Sequence, residues 1–166
     1  MGGGAAEYGE NGRVLPTEAD EALMREALAL AAGCLPHADV PVGAVVADPE
    51  GRVIGRGRNQ REELGDPTAH AEVMALRDAA ATMGTWRLDG CTLVVTLEPC
   101  TMCAGAAIGA RVARIAFGAD EPKTGAVGSL WDVVRDRRLP HKCEVVRGVL
   151  AEDSAALLGG FFQERR

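Results

Sequence analysis

The sequence predicts a three-layer α/β/α fold built on a five-stranded mixed sheet. After an opening helix and a hairpin, apolar positions at helical spacing alternate with short β-rich runs in a βαβαβ order. Such an order favours parallel strands with helices covering both faces, and the hairpin adds the antiparallel part. A chain of 166 residues, 47% of them hydrophobic, also suits one domain with an ordinary core.

Each element has its own signal. Thr17 is a good N-cap, and Leu23, Ala27, Leu30 and Ala31 then recur at helical spacing until Gly33. Val40 to Ala47 and Arg52 to Gly57 flank the turn signal Asp48-Pro49-Glu50-Gly51 and read as paired strands, with Asn59 closing the hairpin. A helix from about Thr68 to Met83, a strand from Cys91 to Leu97, a helix from about Cys100 to Ala110 and a strand from Val112 to Phe117 follow. A fifth strand near Cys143 to Val149 and a helix from about Glu152 to Arg165 complete the set. Residues 1–16 hold Gly2, Gly3, Gly4, Gly9 and Gly12 without apolar periodicity and read as a flexible tail, leaving residues 17–166 as the domain.

Composition narrows the classes. Twenty-four acidic residues against 18 basic ones give a net charge of −6, which argues against a protein that coats nucleic acid without specificity. The basic residues between Arg111 and Arg147 could face phosphates, although a solvated surface explains them equally well. Neither a secretory signal nor a run of about eighteen apolar residues occurs, so no membrane partner and a cytoplasmic location are expected. Five cysteines without an export signal point to thiolate chemistry rather than a disulfide framework.

Two segments carry that chemistry, Pro67-Thr68-Ala69-His70-Ala71-Glu72 and Thr96-Leu97-Glu98-Pro99-Cys100-Thr101-Met102-Cys103. Cys100 and Cys103, three apart at a helix start, share a face, and the helix N-terminus favours their thiolates. With His70 they make three ligands, which leaves tetrahedral zinc a fourth position, as catalytic sites do. Two thiolates neutralise the dication, so it acidifies water less than an all-histidine site would, and a base must help. Glu72 is that base, provided the opening turn brings it and His70 to one ion. A closed zinc knuckle or two unliganded core cysteines would explain a lone C-x-x-C, but H-x-E together with P-C-x-x-C is the general signature of zinc nucleobase deaminases. Cys34, Cys91 and Cys143 lack partners at ligand spacing and read as buried or incidental thiols, and His37 and His141 as surface residues of loops.

From about Thr17 to Arg166 the chain resembles the bacterial tRNA adenosine deaminases, which convert the wobble adenosine of an anticodon to inosine. The resemblance rests on Pro41-Val42-Gly43-Ala44-Val45, Asp66 to Glu72, Thr96 to Cys103, Lys123-Thr124-Gly125 with Gly128-Ser129-Leu130, and Phe161-Phe162. It implies a cytidine-deaminase-like fold, one Zn2+ per subunit held by His70, Cys100 and Cys103, and a homodimer that holds a tRNA anticodon stem-loop. It further implies attack of zinc-activated water at C6 of a flipped adenine, with Glu72 carrying the protons. Val42, Asn59, Ala71 and Pro99 are the implied substrate-binding residues, and Glu121, Lys123, Phe162 and Arg165 the implied RNA contacts. An arginine tRNA with anticodon ACG is the implied substrate. The chain departs from the family at Glu121, where aspartate is usual, and at Gly109, where asparagine or histidine is frequent. A deaminase of free bases or nucleosides would share every zinc and proton-transfer residue, and a non-catalytic zinc module that binds RNA is a third reading.

Overall fold

Alternation along the strands divides the core in two. Val45, Val94 and Ala116 pack with Met24 and Ala27 on one side of the sheet. Ala44, Val46, Leu93, Val95, Ile115 and Phe117 pack with Ala75, Ala79, Ala104 and Ala107 on the other. The computed structural model describes residues 5–166. Its elements are α1 (Glu18–Ala32), a 3-10 turn (Leu35–His37), β1 (Gly43–Ala47), β2 (Val53–Arg58), α2 (Arg61–Leu64), α3 (Ala71–Met83), β3 (Thr92–Leu97), α4 (Thr101–Gly109), β4 (Arg114–Ala119), β5 (Glu144–Val146) and α5 (Ala151–Gln163). The strand order is β2-β1-β3-β4-β5. β1 runs antiparallel to both β2 and β3, while β3, β4 and β5 are parallel. With α1 and α5 on one face and α3 and α4 on the other, this is the expected three-layer sandwich on a five-stranded mixed sheet.

Local chemistry explains where elements start and stop. Thr17 and Asp20 form a reciprocal capping box at the start of α1, at 3.1 and 2.9 Å. Asp48 folds the β1–β2 turn by accepting the N–H groups of Glu50 and Arg52. The expected strand from Val40 begins only at Gly43, because Val42 N–H is spent on Val40 in a tight turn at 2.9 Å and Pro41 has no N–H. The expected helix from Thr68 begins at Ala71, since Asp66 draws the Thr68 N–H and hydroxyl into a local turn. β5 is shorter than expected and ends before Gly148, whose φ is +77°. α2 was not anticipated; its opening N–H groups, those of Glu62 and Glu63, are satisfied by the buried carboxylate of Asp39, some twenty residues earlier.

Residues 1–4 of the stretch expected to be a flexible tail lie outside the described residues. Within the remainder, Tyr8 bridges Val14, and Val14 bridges Val146 in parallel beside β5. His141, expected at the surface, is half-buried, with Nε2 donating to the Val112 carbonyl at 2.6 Å. The three thiols at Cys34, Cys91 and Cys143 are free and buried. No helix among the described residues is long and apolar enough to cross a membrane.

Two contacts set the helices against the sheet. α3 lies so close on β2 that a Cβ at Gly57 would stand 2.4 Å from the Ala71 carbonyl oxygen and 2.5 Å from the Ala75 nitrogen. Ala71, Ala75 and Ala79, spaced by four, form the facing stripe. Gly57→Ala is therefore expected to push the start of α3 off the sheet and cost about 1–3 kcal/mol, measured by denaturant unfolding. On the opposite face, Arg114 of β4 donates to both carboxylate oxygens of buried Asp20, tying α1 to the sheet. Burial raises the Asp20 pKa, but the hydrogen bonds from Arg114 and from the Thr17 backbone outweigh it and leave the value below the ordinary 3.8. Asp20 thus contributes stability above about pH 3.8 that is lost as pH falls through its lower folded value. Asp20→Asn is expected to cost roughly 2 kcal/mol at neutral pH, with the deficit shrinking below pH ~3.8 in unfolding curves taken across pH.

Candidate functional site

The strand order brings two helix starts to one rim. β2 and β3 both run opposite to β1 and so point the same way, and each is followed by a helix on the same face. α3 and α4 therefore open side by side at the same edge of the sheet. His70 is the N-cap of α3 and Glu72 its second residue. Cys100 is the N-cap of α4 and Cys103 its third residue. Neither N-cap side chain caps its own helix. For α3 the vacant task falls to Asn59, whose Oδ1 accepts the Ala71 N–H at 2.9 Å, which leaves the His70 ring free to face the cysteines.

His70 Nδ1 stands 3.6 Å from Cys100 Sγ and 3.5 Å from Cys103 Sγ. For metal–sulfur and metal–nitrogen bonds of about 2.3 and 2.0 Å at the tetrahedral angle, ligand atoms stand roughly 3.5 Å apart. Both nitrogen–sulfur distances thus match a tetrahedral site, and these three atoms are the one group of donors among the described residues that could hold an ion. The set of one imidazole and two sulfurs fits zinc, with one coordination position left over. Both helix N-termini direct their positive ends at the sulfurs and favour thiolates. The hydrogen bond from Cys103, aided by His70, draws the Cys100 thiol down to about 3. Cys103 is pushed up by that same bond to Cys100, by burial and by the Glu72 carboxylate. The bond with Cys100 also raises the His70 value. One cation would relieve this crowding of acids, because it favours both sulfurs as thiolates.

Glu72 is 4% exposed, and its Oε2 accepts from Cys103 Sγ at 3.3 Å. Burial pushes its carboxyl above the ordinary carboxylate range. Glu72 and His70 form part of the lining of a cavity of about 250 Å³, together with Cys100 and Glu98. A larger cavity of about 690 Å³, between residues 11–16 and the start of α5, has no such donor cluster, so size alone would select the wrong place.

The other expected residues divide. Val42 and Asn59 line the cavity, whereas Ala71 and Pro99 are buried behind it. The Pro99 carbonyl accepts the Ala126 N–H at 2.8 Å, and Asn59 Nδ2 donates to the Val40 carbonyl at 3.0 Å. Glu121 and Phe162 border the cavity, but Lys123 and Arg165 are exposed outside its lining. The Arg165 guanidinium stacks 3.8 Å above the ring of Phe161, which is buried, while Phe162 is 52% exposed. Much of the basic stretch is neutralised by ion pairs, Arg114 with Asp20 and Glu144, Arg135 with Asp132, Arg138 with Asp136 and Arg147 with Asp120.

Sequence reasoning assigned no role to Arg61, Glu98, Thr124 or Leu158, all of which line the cavity. Arg61 lies on the short connection between Asn59 and His70, both ends of which reach the site. Leu158 precedes Phe162 by four residues in α5 and so shares its face, a signal the spacing did contain.

Residues 17–119 match the family model of the cytidine and deoxycytidylate deaminase zinc-binding region. The chain is 48% identical to the tRNA-specific adenosine deaminase of Haemophilus influenzae over 150 residues, 90% of this chain and 87% of that one. It is 50% identical over 152 residues to the tRNA(Ile)-lysidine synthase of Deinococcus radiodurans, a longer protein of which it spans 26%. A solved structure from studies of A-to-I editing by tRNA:A34 deaminases at the wobble position shares 42% of its sequence, with a TM-score of 0.78 over 82% of this chain and 98% of that one. Purified protein is expected to contain zinc, and His70→Ala or Cys103→Ala to lose most of it without loss of the fold, checked by elemental analysis beside circular dichroism.

Proposed function

From the premise that this chain belongs to the cytidine and deoxycytidylate deaminase family and, within it, to the bacterial tRNA-specific adenosine deaminases, we propose that it converts the wobble adenosine of a tRNA anticodon to inosine by hydrolysis. The arginine tRNA with anticodon ACG is the substrate we favour. The reading is carried by one conjunction: three metal donors and a buried carboxylate meet at a cavity, in a chain similar to tRNA-specific adenosine deaminases over nine-tenths of its length.

His70, Cys100 and Cys103 hold one zinc per subunit. When bound, zinc supplies the Lewis acidity that makes water a nucleophile at neutral pH. Glu72 takes one proton from the attacking water and delivers it to N1 of the purine, then takes the second proton of that oxygen as the C6 carbonyl forms and passes it to the amino group, which leaves as ammonia. Its burial supports this role, because it raises the proton affinity of the carboxyl above that of an exposed carboxylate. The 250 Å³ cavity falls at the small end of ligand pockets, which suits a single flipped base, and an anticodon loop, already single stranded, presents one at little cost. Asn59 spends one donor and one acceptor on Val40 and Ala71 and keeps one of each for the purine edge, with Val42 beside it. Backbone at Ala71 and Pro99 completes the wall from behind.

The RNA reaches beyond the cavity to Glu121, Lys123, Phe162 and Arg165, and a second subunit shares in holding the stem. The outer face of α4 supports a homodimer: Gly105 and Gly109 are exposed, with open space where their Cβ atoms would stand, so their smallness serves no contact within the subunit.

An arginine tRNA bearing anticodon ACG, assayed beside guanine, cytosine and free adenosine, is expected to yield inosine at the wobble position. Ammonia from a free base alone would replace this reading with a free-base deaminase, and ammonia from no substrate would leave a zinc module that only binds RNA. Glu72→Ala is expected to cost at least about 10²-fold in turnover while zinc stays near one per subunit; retained activity would remove the role given to Glu72.

A further inference from the structure

Glu98 directly follows β3, is 2% exposed, and finds its partners among N–H and O–H groups rather than cations. A buried carboxylate is tolerated in that situation only where several donors converge on it. Here they come from one loop. Oε2 accepts the N–H groups of Val127 at 3.1 Å and Ser129 at 3.0 Å, and Oε1 accepts the Glu121 N–H at 3.3 Å and the Ser129 hydroxyl. Gly125 passes so near that a Cβ would stand 2.4 Å from Oε2. The loop is also fastened to the two residues after Glu98: Ala126 N–H donates to the Pro99 carbonyl, and Gly125 forms an antiparallel bridge with Cys100. Glu121 and Thr124, both on this loop, border the cavity.

We propose that Glu98 is a positioning residue for the substrate: its carboxylate hangs the 121–129 loop from the segment that presents Cys100, so the wall formed by Glu121 and Thr124 keeps a fixed distance from the metal donors. Glu98 transfers no proton in this role and touches no ligand atom of the metal. The use of the wall rests on the deaminase reading above; the suspension of the loop does not.

Glu98→Gln in the full chain is the test, because the amide keeps the size of the side chain but turns one acceptor into a donor that faces N–H groups. Hydrogen exchange of the 120–131 stretch, measured without substrate, is expected to quicken, while the stretch around His70 keeps its protection and zinc content is unchanged. With an anticodon stem-loop substrate, KM is expected to rise roughly tenfold with kcat within about threefold, and Glu98→Asp to recover part of the loss. Unchanged loop exchange, zinc loss, or a fall in kcat at constant KM would overturn the proposal. Should Glu98→Gln not fold, Ser129→Ala removes one donor at the far side of the loop. The same KM rise is then expected at about two- to fivefold, and an unchanged KM overturns the proposal. A wild-type protein inactive on RNA would defeat the functional reading, whereas the exchange result decides the loop's suspension by itself.

Discussion

Three donor atoms must stand about one tetrahedral edge apart, although they come from segments thirty residues distant in the chain. An error of a few tenths of an ångström at either helix start would spoil that spacing, so the rest of the fold is arranged to prevent it. α3 is seated on β2 by contact of alanine with glycine, the closest approach that side chains permit. α4 follows β3 through Glu98, Pro99 and Cys100 alone, and β3 is hydrogen-bonded on both edges. Rigid neighbours on every side convert backbone geometry into ligand geometry.

Charge imposes a second condition. Two sulfurs and the carboxyls of Glu72 and Glu98 crowd one region beside the cavity, and burial makes the charged form of Glu72 costly there. They are answered by different means. The sulfurs face two helix N-termini, Glu72 receives the Cys103 thiol, and Glu98 is enclosed by loop donors. Separate compensation keeps these neighbouring acids from competing for the same donors.

What the sequence made legible follows from how local each signal is. The capping box at Thr17, the Asp48 turn and the helix starts at His70 and Cys100 depend on neighbours within a few residues, and those elements were found where spacing placed them, with shifted ends. The metal donors were legible because H-x-E and C-x-x-C constrain residues within single turns. α2 was not, since its cap is Asp39 from another part of the chain. Glu98 stood inside a motif read for its cysteines, and its partners lie more than twenty residues later, beyond any periodicity.

The missing side-chain caps at His70 and Cys100 have a further meaning. In most helices the residue at that position secures the first turn; here both side chains are turned toward the ligand cluster instead. The first turn of α3 has Asn59 to secure it, whereas that of α4 draws part of its security from whatever holds the cluster together. A cation bound there would steady that rim of the sandwich as well as the donor cluster.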